Sequence, residues 1–414
     1  MRAYIKSIKY EKTGSLNEIT LNDQNLIIVG NNGAGKTNFL SSLNNYISDI
    51  VTTQSHNTTE NIIQIINNLE QQRRNDEARG DTTYSYRSQA LGHIQHYQNI
   101  LDFRKPMDIK FENVDELIHL LKERKFIYRI FRADRSYRSE NNRLLTSIDE
   151  LYNDFESNVY PQQTSSSFFE RFLVSMSNYA LIEKGAGGVT EFERVTSTIN
   201  RIASDLRELF EDSSLRLEFN RSKLRMEIIQ EGKEPYDLEK LPSGYASILA
   251  VYAELIMLSE LSKTIRSEIK GIVLIDEIDA HLHVTLQKKV FSFFSNSFPN
   301  IQFIISTHSP FVVQSVSDAL IYNLSTNEKL TDVSNYSYTA IIKGLLREST
   351  NSENLDALLE ELRILAEKTD FGERYLELIN QLDEDFVNLD SRSKSIVLTA
   401  KAKFIEWEEG QPNV

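Results

Sequence analysis

Cysteine is absent from this 414-residue chain, which excludes a disulfide framework and any thiolate metal site. Also missing is any run of the 18 or so apolar residues that span a bilayer. The opening residues, Met1-Arg2-Ala3-Tyr4-Ile5-Lys6, lack a signal-peptide core. The expected setting is therefore the cytosol, without membrane contact. A surplus of positive charge is lacking too: 46 basic residues against 60 acidic ones leave a net charge of −14. That balance argues against a surface that coats nucleic acid indiscriminately, since such binding rests on cations neutralising phosphates. With 40% hydrophobic and 26% charged residues, the composition is that of an ordinary soluble protein with a large core.

Charge and apolar residues are unevenly placed. Between Lys122 and Arg143 eight basic residues face three acids, whereas acids dominate from Glu353 to Asp385. Arg129, Arg132, Arg135 and Arg138 thus form a local basic site on an acidic body, suited to salt bridging or to DNA or RNA contact. The stretch Gly271 to Val284 reads G-I-V-L-I-D-E-I-D-A-H-L-H-V. Its apolar part predicts a buried parallel strand. The strand ends in Asp276 and Glu277, where open α/β sheets bind ligands.

A second buried strand, Leu26 to Val29, runs into Gly30-Asn31-Asn32-Gly33-Ala34-Gly35-Lys36-Thr37, a complete G-x-x-x-x-G-K-[ST] loop. Here glycines let backbone N–H groups face phosphates, and the following helix adds its dipole. Gly30, Asn31, Asn32, Gly33, Ala34, Gly35, Lys36, Thr37 and Asn38 are the expected nucleotide contacts. Lys36 would reach the β and γ phosphates of ATP; Thr37 and Asp276 would hold Mg²⁺. Further on, Leu241-Pro242-Ser243-Gly244-Tyr245 opens a long apolar helix, with Ser243 as its expected cap. A strand over 301–305 ends in Ser306-Thr307-His308-Ser309-Pro310.

Around these motifs the pattern predicts an N-terminal hairpin turning near Gly14 and a helical insertion after Ser48 with a mobile stretch at 73–84. It also predicts a hairpin over 215–229, a helix over 286–298, a late hairpin over 319–333, and helices over 336–347, 354–382 and 396–407. The expected segments are 1–50 with the phosphate loop, 51–125 as the insertion, 126–235 as the basic strand end with helices and a hairpin, 236–335 with the acid pair, and 336–414 as an acidic helical extension.

The order of phosphate loop, Ser-Gly helix start, acid-ending strand and strand-end histidine resembles the ABC-type ATPases. D-E-I-D-A-H-L-H followed by S-T-H-S-P resembles their SMC and OLD-like branch, where transporters usually read D-E-P-T-S-A-L-D. The resemblance implies an α/β fold: an ABC-type P-loop ATPase head with a mixed or parallel sheet flanked by helices. It implies that Glu277 is the general base, that His308 contacts the γ phosphate, and that Ser243, Gly244 and Asp279 act across an interface with a second copy. The chain would be an oligomer joined by ATP. His281 and His283 are left as interface or packing residues.

Within this branch, L-P-S-G-Y and Asn335-Tyr336-Ser337-Tyr338 resemble the PtuA-type ATPase subunits of Septu and retron-associated anti-phage systems. That resemblance implies a regulatory ATPase that controls a separate HNH effector nuclease. Two other readings stay open: a PARIS-like sensor that sequesters a Toprim effector, and a RecF- or SMC-like repair ATPase. The glutamine usual in ABC-type heads has three candidates, Gln89, Gln95 and Gln98.

Overall fold

The apolar runs legible in the sequence become the middle strands of one sheet. In a computed structural model of the chain, the described residues are 4–12, 14–56, 59–79, 84–104, 107–139, 145–158, 165–331, 333, 336, 338–342 and 353–409. The strands are β1 (Ile5–Lys12), β2 (Ser15–Thr20), β3 (Asn25–Val29), β4 (Met107–Phe111), β5 (Phe126–Phe131), β6 (Arg216–Asn220), β7 (Arg225–Ile229), β8 (Tyr236–Asp237), β9 (Lys270–Ile275), β10 (Ile301–Ser306), β11 (Ala319–Asn323) and β12 (Glu328–Thr331). The helices of the first part are α1 (Lys36–Thr53), α2 (Thr59–Ala78), α3 (Tyr84–Arg104), α4 (Val114–Lys122), α5 (Ile148–Asn158), α6 (Phe169–Gly185), α7 (Val189–Phe210), α8 (Ser243–Leu261), α9 (Val284–Gln287), α10 (Val290–Ser297), α11 (Pro310–Gln314) and the single turn α12 (Tyr338–Ala340). After them come α13 (Glu353–Glu367), α14 (Glu373–Glu384) and α15 (Ser391–Glu409).

The main sheet has the order β12-β11-β3-β10-β9-β5. Its strands run parallel except for β12, which pairs antiparallel with β11 at the edge. Every residue of β3 and β10 is buried, as expected of strands covered on both faces. Gly271 lies opposite Ile127 in the β5–β9 pair, where a Cβ would come 2.4 Å from the Ile127 carbonyl oxygen. Only glycine permits that approach. A second sheet, β2-β1-β4, is antiparallel. Its strand β4 has no counterpart in the sequence reading.

Gln302, fully buried in β10, joins the two sheets. Its Oε1 accepts from the N–H groups of Tyr4 (3.1 Å) and Ile5 (2.9 Å), and its Nε2 donates to Gln24 O (3.1 Å). A buried amide needs such partners, because leaving them unmade costs about 1–3 kcal/mol. A third sheet, β6-β7-β8, follows α7.

Contacts divide the chain into two units, Met1–Ile341 and Ile342–Val414. The second unit has its own core around Leu362, Tyr375, Leu378 and Val397. The single helix expected over 354–382 is instead two, α13 and α14. The chain reverses through Thr369, at φ 56°, and Gly372 begins the second helix. Folding back lets the two apolar stripes bury each other, which one straight helix could not do.

Two other expectations change. The helix over 286–298 is two, because the turn closed by Lys289 N–H on Leu286 O (3.0 Å) separates α9 from α10. In the insertion, α2 carries helix through Arg73–Ala78, so the expected mobile stretch is helical there; residues 80–83 lie outside the described residues. From the helix expected over 336–347, α12 is described, and 343–347 lie outside the described residues.

Candidate active site at the carboxyl edge of the main sheet

The three strand ends singled out by motif are neighbours. Between β3, which leads into the glycine loop, and β9, which ends in the acids, lies only β10. That is two strand spacings, about 10 Å. The edge is laced sideways by backbone hydrogen bonds: Thr307 N–H to Ile28 O (3.1 Å), Ile278 N–H to Ser306 O (3.0 Å) and Asp276 N–H to Phe131 O (2.8 Å).

The loop from Gly30 to Gly35 holds φ values of 147° at Gly30, 78° at Gly33 and 93° at Gly35, the region that favours glycine. Helix α1 starts at Lys36 with Gly35 as its N-cap and no side-chain oxygen capping it. Its first N–H groups are therefore left for a ligand rather than for a neighbour. Lys36 is buried and its Nζ donates to Gly30 O (2.8 Å) and Asn31 O (3.3 Å), which curls the ammonium over the loop. Ala34 and Gly35 are half-buried; Asn31, Asn32, Gly33, Thr37 and Asn38 are exposed. The Ser325 hydroxyl fastens the loop's start by accepting from Asn31 N–H (3.0 Å).

At the other strand end the Asp276 carboxylate is buried and accepts from the Ser306 hydroxyl. The same hydroxyl accepts from Glu277 N–H (2.7 Å). One serine thus positions both acids. Sequence reading quoted Ser306 within its motif but assigned it no role. The turn that follows is strained, with Glu277 at φ 45° and His281 at φ 63°. Asp279 accepts from the Thr307 hydroxyl, so in this chain its carboxylate is engaged from the neighbouring strand end. His308 is half-buried immediately after Thr307.

Arg135 is the residue whose position was least legible. Its Nη1 donates to Asp276 O (2.8 Å) and Arg132 O (3.0 Å); its Nη2 donates to Glu277 O (3.2 Å) and Ile278 O (3.0 Å). A planar guanidinium can clamp three consecutive carbonyls in this way. Burial lowers its pKa to about 10, so it remains charged at neutral pH.

Arg129 is also spent inside the protein. Its Nε donates to the carboxylate of Glu254 (2.8 Å), which is 1% exposed and also accepts from Ser166 N–H (2.8 Å). Of the two uses open to the basic cluster, salt bridging and nucleic-acid contact, these two arginines take internal partners: a buried carboxylate and a strained turn each demand one. Arg132 and Arg138 remain exposed.

Ser243 is the first helical residue of α8 rather than its cap; Pro242 takes that place, with no side-chain capping bond. Ser243 is exposed, while Gly244 is buried against the turn after the acids, where a Cβ would lie 3.0 Å from His281 O. Nearby, Tyr137 N–H donates to Ala246 O (3.1 Å), tying the segment that carries Arg135 to the same helix. His283 caps α9 by accepting from Thr285 N–H (3.5 Å), and no group of three metal-ligating side chains occurs among the described residues. Gln89, Gln95 and Gln98 all lie on α3 of the helical insertion.

The donor set fits Mg²⁺ and ATP: an open helix N-terminus, a curled lysine, a hydroxyl at Thr37 and a buried carboxylate at Asp276.

A family model described as "AAA domain, putative AbiEii toxin, Type IV TA system" matches residues 26–314, more than half of the chain. The chain is 39% identical over 92 residues to the Septu protein PtuA of Bacillus mycoides (strain KBAB4). That match spans 22% of this chain and 13% of that protein's length. It is 24% identical over 373 residues to the retron Vc95 probable ATPase of Vibrio cholerae, covering 75% of this chain and 71% of the relative. Among solved structures, the SMC head bound to the C-winged helix domain of ScpA is 16% identical, covers 80% of this chain and 99% of that one, and has a TM-score of 0.36.

Proposed function

This chain belongs to the AAA-domain ATPase family that matches it from residue 26 to 314, and from that premise we propose that it is the ATP-hydrolysing regulatory subunit of a bacterial anti-phage defence complex. The relatives named for Septu and retron systems support the setting. The observation that carries the catalytic reading is the convergence of the glycine loop, the acid pair and His308 on adjacent strand ends of one sheet. ATP with Mg²⁺, when bound, supplies the scissile phosphate and a Lewis acid.

The protein's own groups then do the rest. The loop N–H groups and Lys36 bind and orient phosphates, while Thr37 and Asp276 are the metal-side oxygens. Glu277, aimed by Ser306 and by the Arg135 clamp, takes the proton of the attacking water, and His308 meets the γ phosphate. Exposed Ser243, the packed Gly244 and Asp279 complete the site of a second copy. Two chains closed on ATP would then hold an effector nuclease, of HNH type, in check.

The test is ATP turnover by the purified protein with Mg²⁺. Lys36→Ala should abolish nucleotide binding. Glu277→Gln should keep ATP binding, lower turnover by at least ~100-fold and accumulate the dimer on size exclusion. Turnover of Glu277→Gln equal to wild type would overturn the assignment of the base. For the effector arm, the neighbouring nuclease should co-purify with this chain and be released or activated as ATP is depleted; no association would sink that arm.

A further inference from the structure

Within the basic stretch, Arg129 and Arg135 have internal partners, but Arg132 stands differently. It is the first residue after β5, and in the β5–β9 pair Phe131 lies opposite Ile275, so Arg132 follows beside Asp276. The bond from Asp276 N–H to Phe131 O (2.8 Å) closes the pair at this end. Neighbouring strands are about 4.8 Å apart.

Side chains alternate along a strand, which assigns the face. In β5 the Tyr128 hydroxyl donates to Asn44 Oδ1 on α1 (2.9 Å), whereas Arg129 turns to Glu254 on α8. Ile130 packs again on the core that contains Phe39, Leu40 and Leu43 of α1. Carried on to residue 132, the alternation places Arg132 on the α1 face. In β9, Ile272 and Leu274 belong to that same core, and the alternation brings Asp276 to the same face. Helix α1 opens with Lys36 and Thr37, so this face is the phosphate side of the sheet edge.

Local structure gives the charge of Arg132 no use. The residue is exposed, and among the described residues no hydrogen bond or ion pair engages its guanidinium. Its carbonyl accepts from Arg135 Nη1 (3.0 Å), which fixes the backbone from which the side chain extends.

We propose that Arg132 contacts the γ phosphate of ATP bound in its own subunit, an inference that rests on the ATP reading of the sheet edge. A metal held by Thr37 and Asp276 bridges β and γ oxygens, so a cation beside Asp276 on the same face meets the γ end, where charge must be neutralised during transfer. A guanidinium suits the task because it can give two parallel N–H bonds to phosphate oxygens. Lys36 then serves the phosphates from the loop and Arg132 from the β5 side.

The test is calorimetric titration of the full chain with Mg²⁺, comparing ADP with the non-hydrolysable ATP analogue AMP-PNP. Arg132→Ala should weaken AMP-PNP by ~10-fold or more and leave ADP within about twofold. It should also lower kcat by ~100-fold or more. Arg132→Lys should recover part of both losses, and Arg138→Ala should cause neither. Both positions are exposed, so the fold should tolerate the changes, with the urea midpoint unmoved. An affinity ratio of AMP-PNP to ADP unchanged by Arg132→Ala overturns the proposal, whatever happens to turnover. Loss of binding to a DNA or RNA oligonucleotide with that ratio unchanged also overturns it and assigns Arg132 to nucleic acid. A wild-type chain that binds neither nucleotide strikes the reading of the sheet edge itself.

Discussion

The carboxyl edge of the main sheet and the α2–α3 hairpin are held by different means. At the sheet edge each strand end is tied sideways to its neighbour, and the strands beneath belong to a core that includes Leu26, Ile28, Ile272, Leu274 and Ile304 at 0% exposure. The hairpin closes on Ile62, Ile66 and Ile94, with partly buried neighbours such as Leu69 and Tyr97. At its root, Arg104 pairs with Asp49 (2.7 Å) and its guanidinium lies 4.7 Å from the Tyr46 ring centre. Chemistry that depends on the placement of a carboxylate is thus built where lateral hydrogen bonds and dense packing restrict motion. The hairpin has a thin core and belongs to the low-stability end, where local opening is cheap.

The largest effect that would break this contrast is at Arg135. Arg135→Ala should leave the KM for ATP nearly unchanged and lower kcat by ~100-fold, because a displacement near 1 Å at a reacting group costs that much. Arg135→Lys should recover only part, since one ammonium cannot span carbonyls at 276, 277 and 278. Steady-state kinetics check both; an equal rise in KM with unchanged kcat would assign Arg135 to substrate binding instead.

Next comes Gly271→Ala, which places a methyl against the Ile127 carbonyl. It should destabilise the first unit by about 1–3 kcal/mol, read as a lower urea midpoint. Ile66→Ala should cost about 2 kcal/mol locally. Hydrogen exchange of α2 and α3 should speed up while ATP turnover stays within about twofold, because local opening leaves the sheet intact. Loss of turnover would show that the hairpin and the sheet edge are not separable.

The smallest effect concerns pH. Glu170 is fully buried in α6 and accepts from Met226 N–H (3.4 Å), and burial raises its carboxyl pKa from 4.5. As pH climbs past 4.5, the unfolded chain ionises first, so this residue's contribution to stability is present at lower pH and is lost as pH rises through the folded value. Glu170→Gln should flatten that decline. Urea midpoints compared at pH 5 and pH 8 would reveal it, and an unchanged slope would remove Glu170 from the account.

Much of the site was legible because its pieces are local. The glycine loop needs residues 30–37 in sequence, and the acid pair needs only the end of β9. Their chemistry follows from composition and spacing within a few residues. Ser306 and His308 were visible as parts of a short motif, though the serine's double hydrogen bond was not. Arg135 looked like one of several exposed cations, since its partners lie 141 to 143 residues further along the chain. β4 was missed for the same reason: its pairing with β1 joins residues about a hundred positions apart, and its five residues carry little periodicity.

The amino-acid order alone specified the phosphate loop, the acid-ending strand and the alternation of strands with helices, because those depend on backbone freedom and short-range apolar period. Tertiary structure decided which strand lies between which, so that β10 carries Ser306 and His308 into the gap between loop and acids. It also decided that Arg129 and Arg135 serve the interior rather than a ligand. Burying Glu254 and holding the turn at Glu277 each required a cation, and only the folded chain determines which arginine is near enough to supply it.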